Sequence, residues 1–146
     1  MTFSADNSPD SIKFNRKKLF ATRFPTIKVT SLDRQALTLP DSFLGKPSII
    51  YLAGPTADQN SLNSWSVPLR QLYPTDVNHL ELLFTKQQHS IDDYIEQLKS
   101  LINPSLHSVV GISHIPFDHL KKSLLLYSTD FIFTFVLDSE GHIIFS

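Results

Sequence analysis

The chain has 146 residues, 41% of them hydrophobic, with 11 Phe, four Tyr and a single Trp, enough to bury the core of one domain. Its formal charge of −1 is spread along the chain, which argues against nucleic acid as a partner. It contains no cysteine, which excludes thiol–disulfide exchange, peroxide reduction by a thiolate, disulfide frameworks and sulfur-ligated metals.

In chain order, residues 1–10 are rich in Ser, Asn and Asp and lack the apolar run of a secretory signal. Asp6 and Asp10 also disfavour a mitochondrial transit peptide. Residues 1–23 therefore read as a flexible tail, or as the remnant of a trimmed precursor, ahead of a domain over 24–146. Lys13, Arg16, Lys17, Lys18 and Arg23 form a basic cluster, either solvated or set against an anionic membrane surface or acidic partner. No apolar run is long enough to span a membrane.

Ile27–Val29 and Ala36–Leu39 flank a polar stretch and predict a short hairpin. Gly45-Lys46-Pro47 turns the chain into Ser48–Leu52, whose unbroken apolar character suits a strand covered on both faces. A polar loop from Pro55 leads to a helix through Tyr73, expected to turn Leu62, Trp65, Leu69, Leu72 and Tyr73 inward and to kink at Pro68. His79–Thr85 reads as the next strand. Ile91, Tyr94, Ile95, Leu98, Leu101 and Ile102 repeat at helical spacing behind the N-cap Ser90, and Asn103-Pro104 stops that helix. Val109–Ile112 is a short extended stretch, and Pro116 opens a helix through Leu126 with Phe117, Leu120 and Leu124 on one face. Phe131–Leu137, the turn Asp138–Gly141 and His142–Phe145 predict a terminal hairpin.

This order is that of an α/β fold of thioredoxin-like type: a mixed central sheet with an N-terminal hairpin and flanking helices. The loop after Leu52 is where a redox member would carry its thiols. The chain stops at Ser146 without the usual last helix, so the domain is expected either to be truncated before that helix or to leave one sheet face open as a contact surface.

Three stretches carry a more specific likeness. Ser64-Trp65-Ser66-Val67-Pro68-Leu69 resembles the Ser-Trp-x-x-Pro-Phe motif of the mitochondrial F-type ATP synthase assembly-factor family. Gly45-Lys46-Pro47-Ser48-Ile49-Ile50 resembles that family's Gly-Lys-Val lead into its central strand. Lys121 through Ile143 is similar to its carboxyl-terminal helix and hairpin, although Ile143-Ile144-Phe145 stands where the family has Ile-Arg-Trp. The position near Ile132, where redox relatives place a cis-proline, has none. The resemblance runs from about Phe24 to the end. It implies a non-redox assembly chaperone on the matrix side of the mitochondrial inner membrane, with peripheral membrane contact. Its client would be the hydrophobic ATP synthase membrane subunit adjoining the rotor ring.

Candidate partner-binding residues are Trp65, Pro68, Asn60, Asn63, Phe131, Phe133 and Phe135. Each has a plainer reading. Trp65 lies at core spacing with Leu62 and Leu69, and that spacing favours burial. Asn60 and Asn63, with Asp58 and Gln59, suit helix capping, and the alternating phenylalanines suit a strand core. Six histidines invite a metal, but none are spaced His-x-x-x-His, and His114 and His119 straddle Pro116. No nucleophile elbow, P-loop or dinucleotide fingerprint is present, so no catalytic residue, cofactor or metal is assigned and the chain is expected not to be an enzyme. The alternatives are a structural subunit or interaction module of another mitochondrial complex, recognised by a large flat interface, and a degenerate thioredoxin-fold enzyme, recognised by converging histidines and a carboxylate.

Overall fold

A computed structural model describes residues 19–85 and 90–146; the basic residues 13–18 and His89 lie outside these. Seven strands form one sheet: β1 (Ile27–Ser31), β2 (Ala36–Leu39), β3 (Ser48–Ala53), β4 (Asn78–Leu83), β5 (Val110–Ser113), β6 (Ile132–Leu137) and β7 (Ile143–Phe145). Three α-helices, α1 (Gln59–Leu72), α2 (Ile91–Lys99) and α3 (Phe117–Leu124), follow β3, β4 and β5 in turn. The spatial order is β2-β1-β5-β4-β3-β6-β7. β3, β4 and β5 run parallel, while β1 and β2 at one side and β6 and β7 at the other are antiparallel additions. The fold is the thioredoxin-like mixed sheet that the element order predicts.

Every residue of β3 is buried, as an apolar strand with neighbours on both edges and helices on both faces must be. Its alternation separates two cores. Ile50 and Leu52 point with Leu80, Leu82, Phe133 and Phe135 toward Phe117, Leu120 and Leu124 of α3. Ile49, Tyr51 and Ala53 point the other way, toward Leu62 of α1 and Ile95 of α2.

The helix starts follow the sequence closely. Ser90 accepts the Asp93 N–H at 3.1 Å and caps α2, and Asp58 accepts the Ser61 N–H at 2.7 Å and caps α1. Pro116 sits at the N-cap of α3, and Leu125 closes that helix in the left-handed region with φ +53°. Two expectations are corrected. α2 ends at Lys99, because the N–H groups of Leu101 and Ile102 both turn back on the Leu98 carbonyl, leaving Leu101 exposed. α1 runs on past Pro68 as one helix, but Trp65, Leu72 and Tyr73 face outward rather than into the sheet. The inward stripe is Leu62, Ser66 and Leu69, with Arg70 beside it. A serine and an arginine thus occupy positions that apolar spacing alone assigns to larger hydrophobic residues.

At the amino-terminal side, Leu19 and Phe24 are core residues, and Ala21–Arg23 lie along β7. The Ala21 N–H donates to the Ile143 carbonyl at 2.7 Å, and the Ile143 N–H donates to that of Thr22 at 2.8 Å. On the α1 side of β6, Ile132, Thr134 and Val136 are only half covered, and Phe145, paired across from Val136, is exposed.

The β3–β6 ladder continues past both strands. Gly54 N–H donates to the Phe131 carbonyl and Thr56 N–H to the Thr129 carbonyl, each at 3.0 Å. A Cβ on Gly54 would sit 2.1 Å from the Thr129 carbonyl oxygen, so only glycine allows this approach. Gly54→Ala should therefore lower the unfolding free energy by at least ~2 kcal/mol. Urea denaturation followed by circular dichroism checks this, and an unchanged midpoint would contradict it.

Candidate protein-binding site

The loop after β3 is where a thiol would sit on this fold, and the chain fills it with Pro55, Thr56, Ala57 and Asp58. The two extended ladder bonds tie it to the segment before β6, and the Thr56 hydroxyl adds bonds to the Thr129 hydroxyl and the Asp130 carboxylate. Hydrogen bonds from the Ser61 backbone N–H and side chain hold the exposed Asp58 carboxyl below its usual range, so it remains an ionised helix cap. Gln59 donates to the Asn63 side-chain oxygen at 3.0 Å, one turn along the helix. Asn60 and Asn63 are both exposed. These groups organise the start of α1.

Beyond that first turn the exposed face of α1 becomes apolar. Trp65 is 49% and Leu72 68% exposed, with the exposed Pro68 between them on one helical stripe. Val67 and Tyr73 add further exposed apolar surface. Trp65 and Pro68 are thus both surface residues, although the spacing argument favoured burial for Trp65. Leu72 and Tyr73 were missed as surface residues for the same reason.

The phenylalanines separate. Phe133 and Phe135 are buried on the α3 side of the sheet, on the face opposite α1, where they belong to the core and offer no surface to a partner. Phe131 lies just before β6 and is half exposed, its ring edge-on to Tyr127 at 5.4 Å. Tyr127 also packs edge-on to Phe133 at 5.2 Å, a link from rim to core that the sequence pattern did not signal.

A polar cluster lies under the carboxyl-terminal half of α1. Arg70 pairs with Glu81 of β4 at 2.5 Å, and Glu81 is only 3% exposed. The His79 Nε2 donates to the Tyr73 carbonyl at 2.7 Å, and its Nδ1 shares a hydrogen bond of 3.0 Å with the Tyr51 hydroxyl. Burial pushes the Tyr51 phenol up to about 12; Arg70 opposes the shift and Glu81 adds to it. Nearby, the Ser66 and Thr134 hydroxyls are buried without a partner among the described residues.

His114 bonds Thr30 at 2.7 Å, and His107 bonds the Ile102 carbonyl at 2.9 Å. Among the described residues no three His, Asp or Glu side chains gather into a metal site. No helix among them is long and apolar enough to cross a membrane.

No family model matches the chain, and no curated protein matches it. Solved structures do. The exposed lipoprotein thioredoxin of Streptococcus pneumoniae is 16% identical, covering 83% of this chain and 87% of its own, with a TM-score of 0.57. Yeast Sco1 is 20% identical, covering 84% and 81%, with a TM-score of 0.55. An uncharacterised conserved protein of Geobacillus kaustophilus is 13% identical, covering 86% and 67%, with a TM-score of 0.61. At these identities the likeness establishes the thioredoxin-like fold.

Two outcomes test this geometry. Phe135→Ala should cost ~3–5 kcal/mol of stability, whereas Trp65→Ser should change it by less than ~1 kcal/mol, both read from urea curves by circular dichroism. Comparable losses would contradict the division into core and surface. The raised Tyr51 phenol keeps its proton in the folded chain while the unfolded chain loses it near 10. Its contribution is therefore full below pH ~10 and lost as pH rises toward 12, by up to ~2–3 kcal/mol. Tyr51→Phe should remove that part of the alkaline decline, and identical slopes in the two proteins would refute it.

Proposed function

We propose that this chain is a non-enzymatic thioredoxin-fold module that binds a hydrophobic segment of an unassembled membrane protein through the outward face of α1. The observation that carries the reading concerns the Ser-Trp-x-x-Pro stretch. Trp65 and Pro68, the two residues that make it resemble the ATP synthase assembly factors, are both exposed on one helix face and continue into Leu72. A buried tryptophan would have explained the motif as packing. An exposed tryptophan, flanked by apolar neighbours and not needed by the core, suits an anchor in a partner's surface.

The absence of cysteine supports the same reading, since a thiol mechanism has no nucleophile here. On the motif resemblance, the client is the ATP synthase membrane subunit adjoining the rotor ring, met at the matrix side of the inner membrane. The mechanism is mass action. The module covers an apolar client surface until the proper neighbour displaces it, and it favours the unassembled state by RT ln(1 + [L]/Kd).

The test is affinity capture from detergent-solubilised mitochondria with the tagged full chain as bait. Wild type should recover the membrane subunit. The double variant W65S/L72S, folded by circular dichroism, should recover at least ~10-fold less, about 1.4 kcal/mol of binding. Undiminished recovery by the variant, or capture of a fixed complex without synthase subunits, would overturn the proposal.

A further inference from the structure

We infer that the chain docks on an anionic lipid surface through an apolar tip at the outer edge of β7, next to the basic stretch that precedes it. Leu19 and Thr22 close a tight turn there. The Thr22 N–H donates to the Leu19 carbonyl at 3.0 Å, and the Thr22 hydroxyl donates to the same oxygen at 2.6 Å. Leu19 is buried in the core, and the Thr22 carbonyl accepts the Ile143 N–H of β7, so both ends of the turn are anchored. Phe20 and Ala21 form its corner. Ala21 holds φ +67°, a left-handed conformation that is costly for a residue with a Cβ. Phe20 is thus fixed at the tip of an anchored turn, and it is 64% exposed. The Ala21 N–H bond to the Ile143 carbonyl sets this tip beside the end of β7, where Ile144 and Phe145 are also exposed. The three belong to neither core, and together they make an exposed apolar patch at one edge of the sheet.

The charge beside the tip decides the partner. Lys13, Arg16, Lys17 and Lys18 all fall within the six residues before Leu19, and no residue from Ser11 to Leu32 is acidic. A chain reaches at most ~3.5 Å per residue, so covalent geometry alone keeps these four cations within about 21 Å of Leu19. Arg23, on the other side of the turn, is offset by its ion pair with Asp41. The acids of the neighbouring turn, Asp138 and Glu140, lie before the start of β7, at the other end of the strand from Phe145. A chain nearly neutral as a whole therefore concentrates positive charge next to its apolar tip. Cations gather at the negative potential of an anionic leaflet, and aromatic and aliphatic side chains settle among its headgroups. A nucleic acid or an acidic protein surface answers the cations alone, whereas an anionic bilayer answers both features. Either feature by itself gives only marginal attachment, and stable attachment takes two. This surface shares no residue with the Trp65 stripe, so either proposal can fail alone.

The test is co-sedimentation of the full chain with vesicles of phosphatidylcholine alone and of phosphatidylcholine mixed with phosphatidylglycerol. The chain should partition at least ~10-fold more strongly into the anionic vesicles, and added salt should weaken that binding. Lys17→Gln with Lys18→Gln should weaken it by ~10-fold or more, at roughly 5-fold per charge removed. Phe20→Ser with Phe145→Ser, folded by circular dichroism, should weaken it by about 10-fold while leaving its salt dependence unchanged. W65S/L72S should retain it within ~2-fold, because those side chains lie on another surface. No partition into anionic vesicles, equal partition into both kinds, or undiminished binding by either double variant at this edge would overturn the proposal. Loss of binding in W65S/L72S would overturn it too, by moving the lipid contact to α1.

Discussion

The buried carboxylate of Glu81 is the constraint on which the surface of this molecule turns. It sits in the middle of a β-strand, on the face covered by α1, and is almost fully removed from water. A lone charge there would cost several kcal/mol, so a cation must be brought to it. Arg70 supplies that cation from α1, which fixes the helix's rotation about its axis. With Leu62, Ser66, Leu69 and Arg70 committed inward, Trp65, Pro68 and Leu72 are carried to the outside. The exposed apolar face is thus the reverse side of an electrostatic requirement.

This also explains what the sequence disclosed and what it hid. α2 and α3 are conventional: polar outside, apolar inside, with Ser90 and Pro116 marking their starts, and their core faces were legible from spacing. β3 was legible because an unbroken apolar run bounded by turns suits a strand buried on both faces. α1 was not, because its inward stripe includes a serine and lies beside an arginine, while its outward stripe includes a tryptophan and a leucine. Apolar periodicity weighs residue type alone and cannot see a glutamate many residues downstream that demands a partner. The phenylalanines of β6 fell between these cases. Their alternation was read correctly, but only the sheet topology says that Phe133 and Phe135 face α3, away from α1.

On this fold the loop after β3 is the position a thiol enzyme uses, and here it has been given over to structure. Gly54 lets two chain segments approach to hydrogen-bonding distance, Thr56 ties them by its side chain, and Asp58 caps the helix that follows. The scaffold so built presents one apolar helix face, that of Trp65, Pro68 and Leu72. The half-covered outer side of β6 extends the apolar character of that side of the sheet.

The central claim is that the α1 face engages an apolar partner directly, and Trp65, the single tryptophan of the chain, can report it without a label. The decisive measurement is its fluorescence during titration of the full chain with a synthetic membrane-spanning peptide of the ATP synthase subunit in nanodiscs, with empty nanodiscs as the reference. The account predicts that emission shifts to shorter wavelength and that acrylamide quenching falls as the indole leaves water. Emission and quenching that stay at the reference values at saturating peptide would contradict it.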